Sequence, residues 1–461
     1  MKVCVVGGGI SGLTAAFRLA ERGAEVTLLE RGEHPGGTIR SERVGPWMVE
    51  HGPNGFLDSR VAVLELARDL GLDGALVPGN KAADKRYVYA RGALRALPRG
   101  PLSLFTSRVL TVAGVLRLLC EPFIRAKQDA RDESVFAFAR RRIGTEAAEV
   151  LVDAMVTGIY AGDSRATSLA AAFPRMAAME RIYGGLVRAL LALRRAKKAG
   201  VTSAAGPGGH LTSFPEGMQA LTDALALRLG SALRTGVTVD ALERTGTGWS
   251  VRCASGARVE ADAVVLAVPA DVAATLLEPH APAGSAALRS IPYSPAAVVA
   301  LGWPTDALPR PLDGFGFLVP AREGRRVLGS VWCSTVFPGR AATGHALVRT
   351  IVGGARNPEV VGLDDAALSG LVRAELSVIF EGPLPEPEFL RIVRWPRAIP
   401  QYTLGHLERV AAVEASIREV PGLHLAGNAL YGVSVADCVA RGAALPDLVL
   451  SGAGAPSDPA G

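Results

Sequence analysis

The opening of the chain limits its fold most sharply. Val3-Cys4-Val5-Val6 is a short apolar run, β-branched at three of four positions, as in a strand buried on both faces. Gly7-Gly8-Gly9-Ile10-Ser11-Gly12 follows at once and fits G-x-G-x-x-G. Leu13, Ala16, Phe17, Leu19 and Ala20 recur at helical spacing up to Gly23, and Ala24 to Glu30 reads as a second strand ending in an acid. Gly7 permits a tight turn, Gly9 lets backbone approach a pyrophosphate, and Gly12 brings helix and strand together. The helix start then offers N–H groups and the positive end of a dipole to that pyrophosphate. Glu30 lies 18 residues past Gly12, where an acid holds a ribose hydroxyl. The expectation is an α/β, Rossmann-type dinucleotide site.

A chain of 461 residues exceeds one core, so two or three domains are expected. Hydrophobic residues at 49% against 20% charged exclude a disordered chain. Aromatics at 5% argue against a stacking surface for nucleic acid. Cys4, Cys120, Cys253, Cys333 and Cys438 form no CxxC, and the seven histidines add no metal spacing, so a reducing compartment and no metal site are expected. No run of about 18 uncharged apolar residues suggests a bilayer span. With the fingerprint at Lys2, no leader is expected, and the protein is placed in the cytoplasm, peripheral on the cytoplasmic side of a membrane. Charge is uneven. Asp84 to Gly200 carries 21 Lys and Arg against 10 Asp and Glu, although the whole chain is only +6.

Further along, Val61 to Leu70 reads as a helix and Lys85 to Tyr89 as a strand that returns through Arg91-Gly92. Leu102 to Lys198 is rich in Ala, Leu and Arg and reads as helices. Val109–Cys120 and Gly184–Lys198 among them are apolar with basic flanks, a pattern that suits a membrane interface as well as an ordinary helical cap. Ala199 to Gly209 reads as a mobile linker and Ser451 to Gly461 as a flexible tail. Val237-Thr238-Val239 reads as a strand, Trp249–Cys253 with Arg258–Glu260 as a hairpin, and Asp262–Pro269 as a buried strand. Ala297–Leu301, Gly316–Val319, Val327–Trp332 and Leu347–Val352 are candidate strands of one sheet, followed by a helix over Asp364–Ile379. Phe389–Trp395 is expected to return to the first domain. Leu423–Asn428 reads as a last buried strand, and Ser434–Ala444 as a helix whose N-terminus carries the positive end of a dipole.

A second glycine pair, Gly36-Gly37, follows the acid, and Glu50-His51-Gly52-Pro53-Asn54 comes next. This arrangement resembles flavoproteins of the amine oxidase, phytoene desaturase and protoporphyrinogen oxidase group. Later segments resemble the protoporphyrinogen oxidase family more narrowly, in its bacterial, oxygen-dependent form. They are Thr157–Asp163, Phe315–Pro320, Gln401–His406, and Gly427-Asn428 with Gly432-Val433.

The resemblance implies noncovalent FAD, oxidation of protoporphyrinogen IX to protoporphyrin IX with six electrons removed, and O2 as acceptor giving H2O2. It implies a Rossmann-type FAD-binding domain (1–84, 210–270, 388–450), a mixed-sheet substrate-binding domain (85–97, 271–387) and an inserted helical membrane-binding domain (98–209). FAD contacts carry over to Gly7, Gly8, Gly9, Ile10, Ser11, Gly12, Glu30, Arg31, Gly36, Gly37, Gly52, Pro53, Asn54, Gly55, Val239, Trp395, Val433, Ser434 and Val435. For substrate, Arg86 matches an arginine for a propionate, Gly158 a glycine beside the reacting methylene, and Phe315, Leu318 and Ile351 apolar residues against the macrocycle. No acid or base residue is required, because the methylene gives hydride to flavin N5 and the protein has only to orient it and exclude water. The implied partners are the porphyrinogen, O2 and a membrane surface, with no nucleic acid, and a homodimer is compatible. Coproporphyrinogen III oxidation to coproporphyrin III stays open, as does another flavin amine oxidase or desaturase. A flavin-less binding module like the Rab dissociation inhibitors is opposed by the intact glycines at 7, 9, 12, 36 and 37.

Overall fold

The computed structural model describes residues 1–129, 131–198, 209–246 and 248–451. The linker and tail expected from composition fall, from 199 to 208 and from 452 on, outside the described residues.

In chain order, β1 (Lys2–Val6), α1 (Ile10–Glu21) and β2 (Glu25–Leu29) precede a hairpin, β3 (Ser41–Val44) and β4 (Trp47–Glu50), then α2 (Val61–Asp69). The chain crosses through β5 (Arg86–Ala90) and β6 (Ala93–Ala96) into the helices α3 (Pro101–Thr106), α4 (Val112–Leu119), α5 (Val135–Ile143), α6 (Asp153–Tyr160), α7 (Pro174–Tyr183) and α8 (Leu186–Lys198). It returns through α9 (Gln219–Leu229), β7 (Leu233–Arg234), β8 (Val239–Thr245), β9 (Gly248–Cys253), β10 (Arg258–Ala261) and β11 (Ala263–Leu266). Then come β12 (Tyr293–Pro304), β13 (Gly316–Leu318), β14 (Val327–Trp332), β15 (His345–Gly353), α10 (Asp365–Ile379), β16 (Phe389–Pro400), α11 (His406–Arg418), β17 (Leu423–Leu425) and α12 (Val435–Leu450).

The first sheet is parallel, in the order β7-β2-β1-β11-β17. Its apolar runs are buried on both faces, and the period of two divides them cleanly. Val3, Val5 and Leu28 pack with α1, α9 and α12, while Cys4, Val6 and Leu29 face the β8–β10 meander through Trp249 and Val251. The expected strand at 237–239 is instead two. Leu233–Arg234 extends the parallel sheet, and β8 begins only at Val239, pairing with β9 across a bulge.

The second sheet has seven strands in the order β16-β12-β15-β14-β13-β5-β6, antiparallel except for β13 beside β5. β16 runs on past Trp395 to Pro400, pairs with β12 from Phe389 to Pro400, and reaches the 42–51 hairpin region through Trp395 and Arg391. One face of this sheet, with Tyr87, Phe317, Val299, Val348 and Val352, is sealed by α10 through Leu368, Val372 and Leu376. The opposite face takes the β4 hairpin, where Trp47 stacks on Phe389 at 5.4 Å.

Buried ions knit the helices together. Arg142 and Glu121 are both almost fully buried and paired, Glu121 also accepts the Leu186 and Val187 N–H groups at 2.8 and 3.1 Å, and Arg141 grips Glu180 with two bonds of 2.6 and 2.9 Å.

Two histidines set a pH limit. Burial holds His406 and His424 at about 4, well below the usual 6.5. A depressed native pKa means that the unfolded chain binds more protons between these values. Stability should therefore fall as pH drops from about 6.5 to about 4, with uptake of about two protons on unfolding near pH 5 from these side chains. Comparing unfolding midpoints across that window, in His406→Gln and His424→Gln backgrounds, checks this. A slope that survives both substitutions would refute it.

Candidate active site

At the nucleotide end, the glycines divide into packed and open. A Cβ on Gly12 would lie 1.9 Å from the Gly7 carbonyl oxygen, and one on Gly7 would lie 2.4 Å from that of Ala267. Gly7 also has φ +105°, which favours glycine. A Cβ on Gly9 would meet nothing within 4 Å. Gly12 thus fastens α1 to β1, while Gly9 opens onto a groove at the helix N-terminus where Ile10 and Ser11 begin the turn. Gly36 reaches the same place, its N–H donating to the Gly8 carbonyl at 2.7 Å, and Gly37 comes within 3.3 Å of Gly9 Cα, measured from an added Cβ. Two glycine turns flanking one open groove fit a dinucleotide pyrophosphate.

Glu30 accepts the Gly8 N–H at 2.6 Å and the Gly32 N–H at 2.7 Å, one on each oxygen. A carboxylate has lone pairs to spare for a ribose hydroxyl. Its own backbone bonds Arg234 and Val237, which brings the segment leading to Val239 alongside; Arg31 points outward.

The strip His51-Gly52-Pro53-Asn54-Gly55 is half-buried throughout. It is held from several sides. Trp395 Nε1 donates to the His51 carbonyl at 2.9 Å. Arg349 donates from Nε to the Glu50 carbonyl at 3.0 Å and from Nη2 to the Gly52 carbonyl at 2.5 Å. A Cβ on Gly52 would meet the Thr38 carbonyl oxygen at 2.1 Å.

Val433, Ser434 and Val435 form the start of α12, capped reciprocally by Ser434 and Asp437. The preceding loop hangs on Tyr402, whose hydroxyl donates to the Asn428 carbonyl and accepts the Gly432 N–H, both at 2.7 Å. Gln401 next door donates to the Tyr160 carbonyl at 2.8 Å, tying this loop to the end of α6.

The register of the second sheet brings most of the expected substrate residues onto one face. Leu318 lies opposite Gly329, and Gly329 opposite Ile351. A Cβ on Gly158 would lie 2.9 Å from both Leu318 methyls, so α6 rests on this row. Arg86 is on the same face two positions from Val88, which pairs with Leu318. Its guanidinium sits 5.2 Å over the Phe315 ring, yet Phe315 packs with Ala83, Val336 and Phe337. Gly158, Leu318 and Ile351 form one group, and Arg86 with Phe315 a second. This is the face that carries Arg349, Arg391 and Trp395, turned away from α10.

Several residues of the site lie outside the sequence expectations. Arg349 and Tyr402 are two. Asp153 is a third; it accepts from Arg356 Nη2 at 2.7 Å, the Ala321 N–H at 2.8 Å and Ser164 Oγ at 2.7 Å, and thereby fixes α6. His51 Nε2 is 2.9 Å from Glu42, which also pairs with Arg391. Burial pulls His51 below its usual range against the pull of Glu42. The nine-residue separation of Glu42 and His51 across a hairpin is the one signal a sequence offers for them. Among the described residues, no three His, Cys, Asp or Glu side chains gather as a metal site.

A glycine-lined groove on a parallel sheet, joined to a large mixed sheet whose inner face is partly open, fits a dinucleotide-dependent oxidoreductase. The chain belongs to the flavin-containing amine oxidoreductase family, which it matches over residues 10–444, and its cofactor is FAD. It is 33% identical to coproporphyrinogen III oxidase of Propionibacterium freudenreichii subsp. freudenreichii, over 97% of this chain and 90% of that one. It is 32% identical to the chloroplastic protoporphyrinogen oxidase of Oryza sativa subsp. japonica, over 94% and 85%. The solved structure of a candidate protoporphyrinogen oxidase from Exiguobacterium sp. 255-15 superposes with a TM-score of 0.84 at 26% identity, over 98% and 99%.

Proposed function

We propose that this chain oxidises a porphyrinogen to a porphyrin, with protoporphyrinogen IX as substrate. The observation that carries the reading is the row Gly158, Leu318 and Ile351, apolar and partly open, on the sheet face that also holds Trp395 and Arg349, with Arg86 at its rim. Bound FAD supplies a two-electron acceptor, and three rounds remove six electrons, passed on to O2 as H2O2. The chain's own residues do the rest. The apolar row holds the flat face of the ring and excludes water, the exposed backbone of α6 at Gly158 admits the methylene edge, and Arg86 pairs with a propionate.

Relatives named coproporphyrinogen III oxidase, at 29% identity in Bacillus subtilis (strain 168) and 33% in Propionibacterium, favour coproporphyrinogen III as a second reading. Initial rates on the two porphyrinogens, followed by porphyrin fluorescence and H2O2 release, decide between them. Rates no higher than spontaneous oxidation on both, or faster turnover of an amine, would sink the proposal. Arg86→Ala should raise KM roughly tenfold or more for the lost charge-assisted bond while FAD affinity stays put. An unchanged KM would remove Arg86 from the site.

The reading includes a cytoplasmic protein resting on a membrane surface, with a homodimer compatible. Leu102 and Phe123 are 85% and 84% exposed, and Val112, Leu116 and Leu191 are also exposed on the basic helical region. Among the described residues no helix is long and apolar enough to cross a membrane. Leu102→Glu with Phe123→Glu should cut sedimentation with anionic liposomes several-fold at low salt. Equal binding by parent and variant would refute a role for these residues.

A further inference from the structure

Arg349 poses an electrostatic problem that the site as described does not resolve. Its side chain is 6% exposed, and it stands in an interior strand of the second sheet, on the inner face. The acidic groups that act on it are Glu50 and the Cys333 thiol. Glu50 is already committed. It pairs with Arg340 at 3.1 Å and accepts the Met218 N–H at 2.9 Å and Ser41 Oγ at 2.6 Å. Burial pushes the Cys333 thiol up to about 11, so it adds no negative charge beside the Glu50 carboxylate. Two buried guanidinium groups therefore share one carboxylate, and one positive charge is left over. An uncompensated buried cation is expensive, and apolar replacement of such groups is often neutral or better. Arg349 instead spends its donors on the carbonyls of Glu50 and Gly52, at the start of the strip that the family resemblance assigns to FAD.

We propose that Arg349 is a positioning residue that biases the cofactor, its surplus charge reaching through the 50–52 strip to favour reduced FAD, the more negative form, over oxidised FAD. A full charge about 10 Å away at an effective dielectric near 20 changes an affinity ratio by roughly tenfold. The inference rests on the placement of the strip beside the flavin.

The test is the ratio of dissociation constants of oxidised and reduced FAD, measured anaerobically on stripped full-length protein. Arg349→Met should shift that ratio about tenfold against reduced FAD, and Arg349→Lys, which keeps the charge, should recover most of it. Glu50→Gln leaves the cluster more positive and should move the ratio the other way, which keeps the test alive if Arg349→Met does not fold. A ratio within twofold of the parent in Arg349→Met, an equal loss in Arg349→Lys, or a Glu50→Gln shift absent or of the wrong sign overturns the inference. Asn54→Leu separates this failure from that of the placement. If Asn54→Leu alters neither FAD affinity nor the flavin absorption bands, the strip is not at the flavin; if it alters them while the Arg349 ratio stays fixed, only the charge inference falls.

Discussion

Gly9→Val and Gly12→Val, three residues apart in one turn, should behave as opposites. Gly12→Val drives its Cβ to 1.9 Å from the Gly7 carbonyl oxygen, a backbone atom, with the short Ala267 Cβ at 3.1 Å and no flexible side chain to yield. The helix would have to leave the strand, at a cost above about 4 kcal/mol, and little folded protein is expected. Gly9 has φ −71° and ψ 172°, open to any residue, and nothing lies within 4 Å of an added Cβ. Gly9→Val should cost about 1 kcal/mol or less as a poorer N-cap, yet fill the groove that the pyrophosphate needs, with at least a ~100-fold loss of FAD affinity. Apoprotein melting and FAD titration check both halves. A well-folded Gly12→Val, or a Gly9→Val that retains FAD, would show that the two glycines are not divided between packing and access.

That division also explains what was legible in the sequence. β1, α1 and β2 were readable because turn, helix start and acid lie within about thirty residues, and each glycine answers a local demand. The order of the parallel sheet depends on Ala263–Leu266 pairing with Val3–Val6, which no local pattern announces. The inner face of the second sheet was hidden more deeply. Arg86 meets Gly316 across the chain, and nothing local in β16 names β12 as its partner. Arg349 and Thr350 are adjacent polar residues that are both buried, on opposite faces, so alternation of apolar and polar gives no hint of either role. Tyr402 was visible as part of Gln401–His406, but its bonds to Asn428 and Gly432 depend on the packing of α12.

Asp153→Ala should have the second large effect, and it should fall on substrate rather than on FAD. The Asp153 side chain is 7% exposed, and its carboxylate is the meeting point of Arg356, the Ala321 N–H and Ser164. Arg356 also reaches Thr157, one residue before Gly158. Burial already pulls the Arg356 guanidinium down, and removing its carboxylate leaves that charge without its ion-pair partner. Breaking such a pair by deleting one side costs about 3–5 kcal/mol. Asp153 opens α6, and Gly158 rests on Leu318 from the same helix, so the loss frees the element that sets the backbone edge against the apolar row. The residues proposed to hold FAD lie on other elements, so FAD affinity should remain within about threefold of the parent while porphyrinogen turnover drops by roughly 100-fold or more, the scale expected for a misplacement of about 1 Å. Asp153→Asn keeps the shape and the acceptor oxygen and should recover part of the stability. If Asp153→Ala retains parental turnover, or loses FAD together with activity, α6 is not the element that orients the substrate.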